Sequence, residues 1–347
     1  MKSKETNGGQ SQSTVMREIP VEEAVGMRLA HDLTQIVPGQ FKGRKYKRGH
    51  LITEADIPGL LDIGKAHIYT LDIGDNDLHE DDAAGRLAAV LQGEGIELSE
   101  PHEGKVTLRA QRTGLAVIPP QLVESINRIG DIALATVQHH TLVREGQPVA
   151  ATRAIPLVLP KEKVEAAEML AQAYRLENDG IAPISVRPLK KFRVGLLTTG
   201  SEVFNGRIED KFGPVVRAKL EALGSEVAEQ RFTPDERHTI VNHIRSLFDS
   251  GYDMILVTGG MSVDPDDRTP GAIREAGADI VSYGTPMLPG SMLLIGYLSG
   301  VPIMGLPGCV MHDPHTSFDV LLPRILAGDT ITREDIVTMG YGGLHGC

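Results

Sequence analysis

The chain has 347 residues, 41% of them apolar and 23% charged, with a net charge of −11 at neutral pH. That length suggests two or three domains, each with its own core. Two cysteines exclude a disulfide scaffold or a four-cysteine zinc site, and the lack of any run of about 18 apolar residues argues against a membrane span.

Residues 1–16 are polar, with no apolar segment of the kind a secretory signal needs, and read as a disordered tail; a cytoplasmic location is expected. Residues 17–158 read as an irregular α+β region. It opens with a short helix at Val21-Glu-Glu-Ala-Val. β-like runs follow at Ala66–Leu71 and Lys105–Ala110, and turn signals stand at Pro38-Gly39, Arg48-Gly49 and Glu145-Gly146. Helices are predicted over Asp81–Gln92 and Pro120–Ile129 from their apolar spacing. A third, Lys161–Leu176, reads as a connector, and Asn178–Pro188 as a linker, so that 159–188 joins two regions.

From Lys191 the pattern becomes regular. Phe192–Leu197 reads as a buried strand running into Thr198-Thr-Gly-Ser201; Pro214–Leu223 reads as a helix and Glu226–Phe232 as a weak strand. Thr233-Pro-Asp-Glu236 has capping-box spacing with proline at the first helical position, ahead of Ile240, Ile244, Leu247 and Phe248. Tyr252–Val257 is a strand ending in Thr258-Gly-Gly260, and Thr269-Pro270 opens a further helix. Ser291–Tyr297 and Val301–Met304 read as adjacent strands, the second ending in Gly305-Leu-Pro-Gly308 before a helix at Thr316–Leu326. Alternating strands and helices predict an α/β domain over 189–330, a mostly parallel sheet between two helical layers, with 331–347 as a tail.

In such a sheet, ligands bind outside the carboxyl ends of the strands. Thr199, Gly200, Ser201 and Glu202, then Thr258, Gly259, Gly260, Met261 and Ser262, then Pro307, Gly308 and Cys309 are therefore expected on one edge. Glycine turns let backbone N–H groups approach an anion, and helix N-termini add partial positive charge. Asp264, Asp266 and Asp267 follow the Gly-Gly turn, and Asp235 and Glu202 stand beside neighbouring turns. Carboxylates next to an anion site suggest a hard cation between them, so a Mg2+-phosphate ligand is expected. Bland readings stand beside these: Asp235 as a first-turn helix acid, Glu202 as a solvated side chain. No GxGxxG follows the first strand and no GxxxxGK[ST] occurs, which argues against a dinucleotide dehydrogenase and a P-loop NTPase. The acidic charge and the lack of tryptophan count against nucleic acid.

Residues 191–328 resemble the molybdenum-cofactor-biosynthesis domain of MogA-type and MoeA-type proteins and gephyrin. The resemblance rests on Thr198-Thr-Gly-Ser-Glu-Val203 with Gly206–Asp210, on Thr258–Pro270, on Arg231–Glu236 and on Gly305-Leu-Pro-Gly308. It implies a molybdopterin ligand, with Asp267 and Asp235 near its phosphate or a Mg2+ ion, Glu202 in the same cleft, and Gly290 and Ser291 among the binding residues. It also implies adenylyl or molybdenum transfer, with ATP as a further substrate, and assembly as a dimer or trimer. Pro289-Gly-Ser-Met292 and Cys309 depart from the MoeA-type Pro-Gly-Lys-Pro and Asn, and residues 17–158 lack the motif that MoeA-type proteins carry there. Two alternatives stand: a non-catalytic carrier or sensor serving molybdoenzymes or other cofactor-biosynthesis proteins, and a nucleotide pyrophosphatase of the competence-damage type.

Outside that domain, Lys42, Arg44, Lys45, Lys47 and Arg48 form a basic cluster, read as a solvated hairpin tip or an anion-attracting patch. His79-Glu-Asp-Asp82 and Glu103-Gly-Lys105 are polar clusters, read as a helix cap or as ligand-facing groups. Cys309 at a helix N-terminus would have a lowered thiol pKa.

Overall fold

The computed structural model describes residues 14–37, 41–261 and 268–346. The expected tail as far as Ser13, the Pro38-Gly39 turn, and the candidates Ser262, Asp264, Asp266 and Asp267 lie outside the described residues. The chain forms two compact units: one runs through Gln111 and includes 116–139 and 145–186, the other comprises 112–115, 140–144 and Arg187 onward.

The first unit has two cores. Its early part pairs Val15–Pro20 antiparallel with His67–Asp72, and Leu33–Val37 with Phe41–Tyr46. Val21, Leu29, Leu33, Ile52, Leu60 and Ile68 are buried together between them. The later part is a four-stranded antiparallel sheet in the order Ile96–Leu98, Lys105–Ala110, Pro148–Ala154, Ile132–Thr136. Glu80–Leu91 is a helix that buries Ala84, Leu87, Ala88 and Leu91 and packs on this sheet. Its start is capped by His79, whose Nδ1 accepts from the Asp81 N–H at 3.1 Å; the acids that follow face the positive end of the helix. This capping accounts for His79.

Two expectations change here. Lys161–Glu177 is part of the first unit's core: it buries Val164, Ala167 and Ala171 and is tied to the preceding helix by a two-pronged Arg86–Glu168 pair at 2.8 and 2.6 Å. The stretch expected to be a linker contains a strand, Ser185–Pro188. In the basic cluster, Arg44 pairs with Asp32 and Arg48 with Asp82, each at 2.6 Å, so part of its charge is neutralised within the unit.

The second unit is a three-layer αβα domain. Its elements are β1 (Arg193–Thr199), α1 (Ser201–Phe204), α2 (Phe212–Glu221), β2 (Glu226–Thr233), α3 (Arg237–Asp249), β3 (Met254–Thr258) and α4 (Thr269–Glu275). There follow β4 (Asp279–Tyr283), β5 (Leu294–Leu298), β6 (Val301–Leu306), α5 (Ser317–Leu326) and α6 (Arg333–Thr338). The sheet order is β2-β1-β3-β6-β5-β4. The first four strands are parallel and the last two join antiparallel. β5 and β6 are connected by Ser299 and Gly300 alone, with φ of 48° and 88°, the left-handed pair that a tight hairpin turn requires.

Side-chain alternation builds the layers. Val194, Leu196, Met254, Leu256, Met304 and Leu306 pack with Phe212 and Val216 of α2 and Phe318 and Leu321 of α5. Leu197, Ile255, Val257 and Ile303 face the other way, against Ile240, Ile244 and Leu247 of α3 and Ile273 of α4. Both faces being covered is why these strands read as continuous apolar runs.

The capping box expected at Thr233–Glu236 does not form. Thr233 is the last residue of β2, paired with Thr199, and its hydroxyl turns to the Pro234 carbonyl; α3 starts four residues later, at Arg237. β4 has no counterpart among the predicted elements. It is an edge strand with a register shift between Ile280 and Ser282 and shows no apolar run.

Candidate functional site

The parallel register aligns the strand ends. Thr199 pairs with Thr233, Thr198 with Thr258, and Thr258 with Leu306, so the turns after β1, β2, β3 and β6 share one edge of the sheet.

The turn after β3 depends on Gly259. Its φ is 88°, and a Cβ there would collide with the carbonyl oxygen of Thr199 on the neighbouring strand. Thr269 ties the turn down by donating to the Gly259 carbonyl at 2.9 Å, and lies 3.4 Å from the Thr199 hydroxyl. Thr258 is fully buried, and its hydroxyl has no partner among the described residues.

The turn after β1 is clasped from β2. Asp235 Oδ2 accepts from the Ser201 N–H at 3.1 Å, and Gly200 N–H donates to the Thr233 carbonyl at the same distance. Asp235 is therefore neither a free acid nor a first-turn residue of α3. Glu202 sits on the four-residue α1, exposed. Asp210, part of the motif that opens the domain, accepts from the Phe212 and Gly213 N–H groups at the start of α2 and from Gln230 Nε2 at 2.6 Å. Gln230 in turn donates to Thr198 at 3.0 Å.

A cavity of 640 Å3 opens at this edge. Gly259, Gly260 and Met261 line it from the turn after β3, Pro307, Gly308 and Cys309 from the turn after β6, and Gly290 and Ser291 from the loop before β5. Gly290 is held there by two hydroxyls, from Thr285 and Ser317, donating to its carbonyl at 2.9 and 2.7 Å. Thr199, Gly200, Ser201, Thr258, Glu202 and Asp235 stand near these turns in the sheet but are not among the lining residues. The remaining walls, which periodicity does not reveal, are Phe212, Leu288, Pro289, Met292, Leu306 and Met311. Phe212 and Leu306 also belong to the buried apolar cluster under the sheet, and a cavity wall and a core face carry the same apolar signal.

Among the described residues that line the cavity no side chain is charged. The polar capacity of the walls is therefore backbone N–H and carbonyl groups, the Ser291 hydroxyl and the Cys309 thiol. Cys309 lies in a single 3-10 turn, Gly308–Met311, and α5 begins only at Ser317 with its own Thr316–Asp319 capping box. The thiol is pushed above its ordinary range by burial and then by the Asp313 carboxylate, the reverse of the helix-terminus expectation. Such walls offer backbone hydrogen bonds to the polar edge of a ligand and aromatic, thioether and aliphatic surface to its apolar part.

Among the described residues there is no group of three or more His, Cys, Asp or Glu placed to hold a metal ion, and no helix is long and apolar enough to cross a membrane.

Residues 195–327 match the model of a probable molybdopterin binding domain, and residues 18–72 match one described as a domain of unknown function. The molybdopterin molybdenumtransferase of Staphylococcus aureus (strain COL) is 28% identical over 130 residues, covering 35% of this chain and 31% of the relative. A CinA-like protein of Mycobacterium avium is 37% identical over 90 residues, covering 26% and 21%. The chain thus spans less than a third of the length of either relative. The molybdopterin biosynthesis enzyme MoaB from Thermus thermophilus aligns at 28% identity over 40% of this chain and 98% of that one, with a TM-score of 0.34.

Proposed function

We propose, from a second unit that carries a domain of the molybdenum-cofactor-biosynthesis type, that this protein binds molybdopterin at the carboxyl edge of that unit's sheet and acts in the making or handling of the cofactor. The observation that carries this reading is the convergence of the Gly259-Gly260 turn, the Pro307-Gly308 turn and the Gly290 loop on one cavity whose described lining carries no charged side chain. The pterin ring lies between the apolar walls, with its edge on backbone groups. The unpartnered Thr258 hydroxyl, one residue before the lining, is a buried polar atom of the kind a ligand or its water satisfies. Asp267 and Glu202 are the acids this reading assigns to the terminal phosphate and the cation that accompanies it.

Mg2+ does not fit the described residues alone: they contain no cluster of three metal ligands, and one oxygen of Asp235 is engaged by Ser201. Adenylyl or molybdenum transfer to the bound pterin is the catalytic form of this reading, and transfer of finished cofactor to a molybdoenzyme the non-catalytic form. The likeness to the CinA-like protein favours one further reading, a nucleotide in place of the pterin.

The test is anaerobic equilibrium binding of molybdopterin to the full chain, without and then with Mg-ATP. Saturable binding supports the reading, and pyrophosphate release with ATP selects its adenylyl-transfer form. Absence of binding under both conditions, with hydrolysis of ADP-ribose, would replace it with the nucleotide reading.

A further inference from the structure

The first unit has a cavity of its own, 380 Å3 in volume, outside the residues that match the molybdopterin binding domain. It gathers residues from the two polar clusters that stand apart in sequence, His79–Asp82 and Glu103–Lys105. Among the described residues its lining includes four carboxylates, Asp32, Glu80, Asp81 and Glu103, and no lysine or arginine.

The four acids are not equivalent. Asp32 has a side chain only 8% exposed and is satisfied by the Arg48 N–H at 2.7 Å and by Arg44 at 2.6 Å. Asp81 accepts from the Gly104 N–H at 2.9 Å. Glu80 and Glu103 make no side-chain hydrogen bond or ion pair among the described residues, although Glu80 is half-buried. Burial, and then the charges of Asp81 and Glu103, push the Glu80 carboxyl above its ordinary range, against the opposing charges of Arg153 and Arg48. Of the four acids, Glu80 and Glu103 are therefore the two that no described group engages by a direct hydrogen bond or ion pair.

The other walls are not those of an ion site. His31 and Tyr69 present two rings, centroids 6.2 Å apart and tilted by 44°, and burial followed by the nearby Lys65 holds the His31 imidazole toward its neutral form. Met16 and Leu157 complete the lining with apolar surface. A hard divalent ion would need six or more oxygens converging on one point. The described residues contain no such grouping, and the carboxylates are spread around a cavity at the small end of the range for organic ligands. Aromatic faces beside carboxylates attract a cation that also has hydrocarbon to bury.

We propose that this cavity binds a compact organic cation, an ammonium or guanidinium head held by Glu80 and Glu103, with its alkyl part against Met16, Leu157 and the rings of His31 and Tyr69. The proposal is independent of the molybdopterin reading, since every residue it uses belongs to the first unit.

The test is calorimetric titration of the full chain with agmatine, with 1-butanol as an uncharged control and MgCl2 as a metal control. The expected result is one saturable agmatine site, no butanol site, and affinity at least tenfold weaker in both Glu80→Gln and Glu103→Gln. Binding should also weaken as the pH falls and Glu80 takes up its proton. Tyr69→Leu, which leaves every carboxylate in place, should weaken it several-fold, and this variant decides the matter if either Gln variant melts early. Equal agmatine binding by the wild type and the Glu80→Gln/Glu103→Gln double variant would overturn the proposal. So would Mg2+ binding that those substitutions abolish while agmatine does not bind.

Discussion

The Asp235 carboxylate lies 3.1 Å from the Ser201 amide and accepts its hydrogen bond, joining the turn after β2 to the turn after β1. An acid that its sequence context places at a helix start is thus a clasp between two strand ends. Asp235→Ala should cost about 1 kcal/mol in urea unfolding. Asp235→Asn keeps an acceptor oxygen and should recover most of that loss. If the asparagine variant is stable yet binds molybdopterin more weakly, the charge itself serves the ligand. Equal binding would confine Asp235 to the clasp.

Gly259→Ala should be far costlier than an ordinary surface change. The new Cβ would have to hold a left-handed φ of 88° while meeting a backbone carbonyl that β1 cannot move without breaking its ladder. A loss of more than about 2 kcal/mol is expected in chemical denaturation. A variant of unchanged stability would mean that the Gly259 turn is not packed against Thr199.

Arg324 is only 8% exposed and pairs with Asp329 at 3.1 Å and Asp335 at 2.7 Å, and Arg187 adds a second contact to Asp329 at 2.6 Å. Burial alone would raise the Asp335 carboxyl, but hydrogen bonds from Thr332 and Arg324 outweigh it and hold the group at about 2, against an ordinary value of 3.8. A depressed folded value stabilises the fold above the unfolded pKa. That contribution should disappear between about pH 4 and pH 2 as the carboxylate is protonated. Melting temperatures followed across this window should fall more steeply for the wild type than for Asp335→Asn. Arg324→Met, which removes the cation from Asp335 and leaves Asp329 to Arg187, should cost about 1.5–3 kcal/mol at neutral pH.

Cys309 should be a slow nucleophile. With its thiol held protonated by burial and by Asp313, alkylation by iodoacetamide at pH 8, followed at this residue by peptide mass spectrometry, should lag behind that of an exposed thiol. Asp313→Asn should speed it, and molybdopterin in the cavity should slow it further. Ligand that leaves the rate unchanged would place the pterin away from the Pro307–Cys309 wall.

Much of the second unit can be read from sequence because parallel strands covered on both faces announce themselves as apolar runs, as in Val194–Leu197 and Met254–Val257. The glycine turns that end them mark the site edge for the same reason. β4 escapes because an edge strand with a register shift buries too little to leave a pattern. Thr233-Pro-Asp-Glu236 misleads because cap-forming residues also suit a strand end, and pairing with Thr199 claims Thr233 first. In the first unit, Val15–Pro20 meets a partner about fifty residues away, a pairing no local signal encodes. The cavity walls Met292 and Met311 become neighbours of Gly259 only through tertiary structure.

β5 and β6 need only Ser299 and Gly300 to meet, whereas β3 reaches β6 by pairing Ile255 with Ile303, about fifty residues on. Chain entropy therefore favours the hairpin as an early local event, and docking of β3 along its open edge as a late one. The cavity takes shape only with that docking, because it is the step that sets Gly259 beside Gly308. A molecule seated there binds only once β3 has docked. It should lengthen the lifetime of the native state and leave the refolding rate almost untouched.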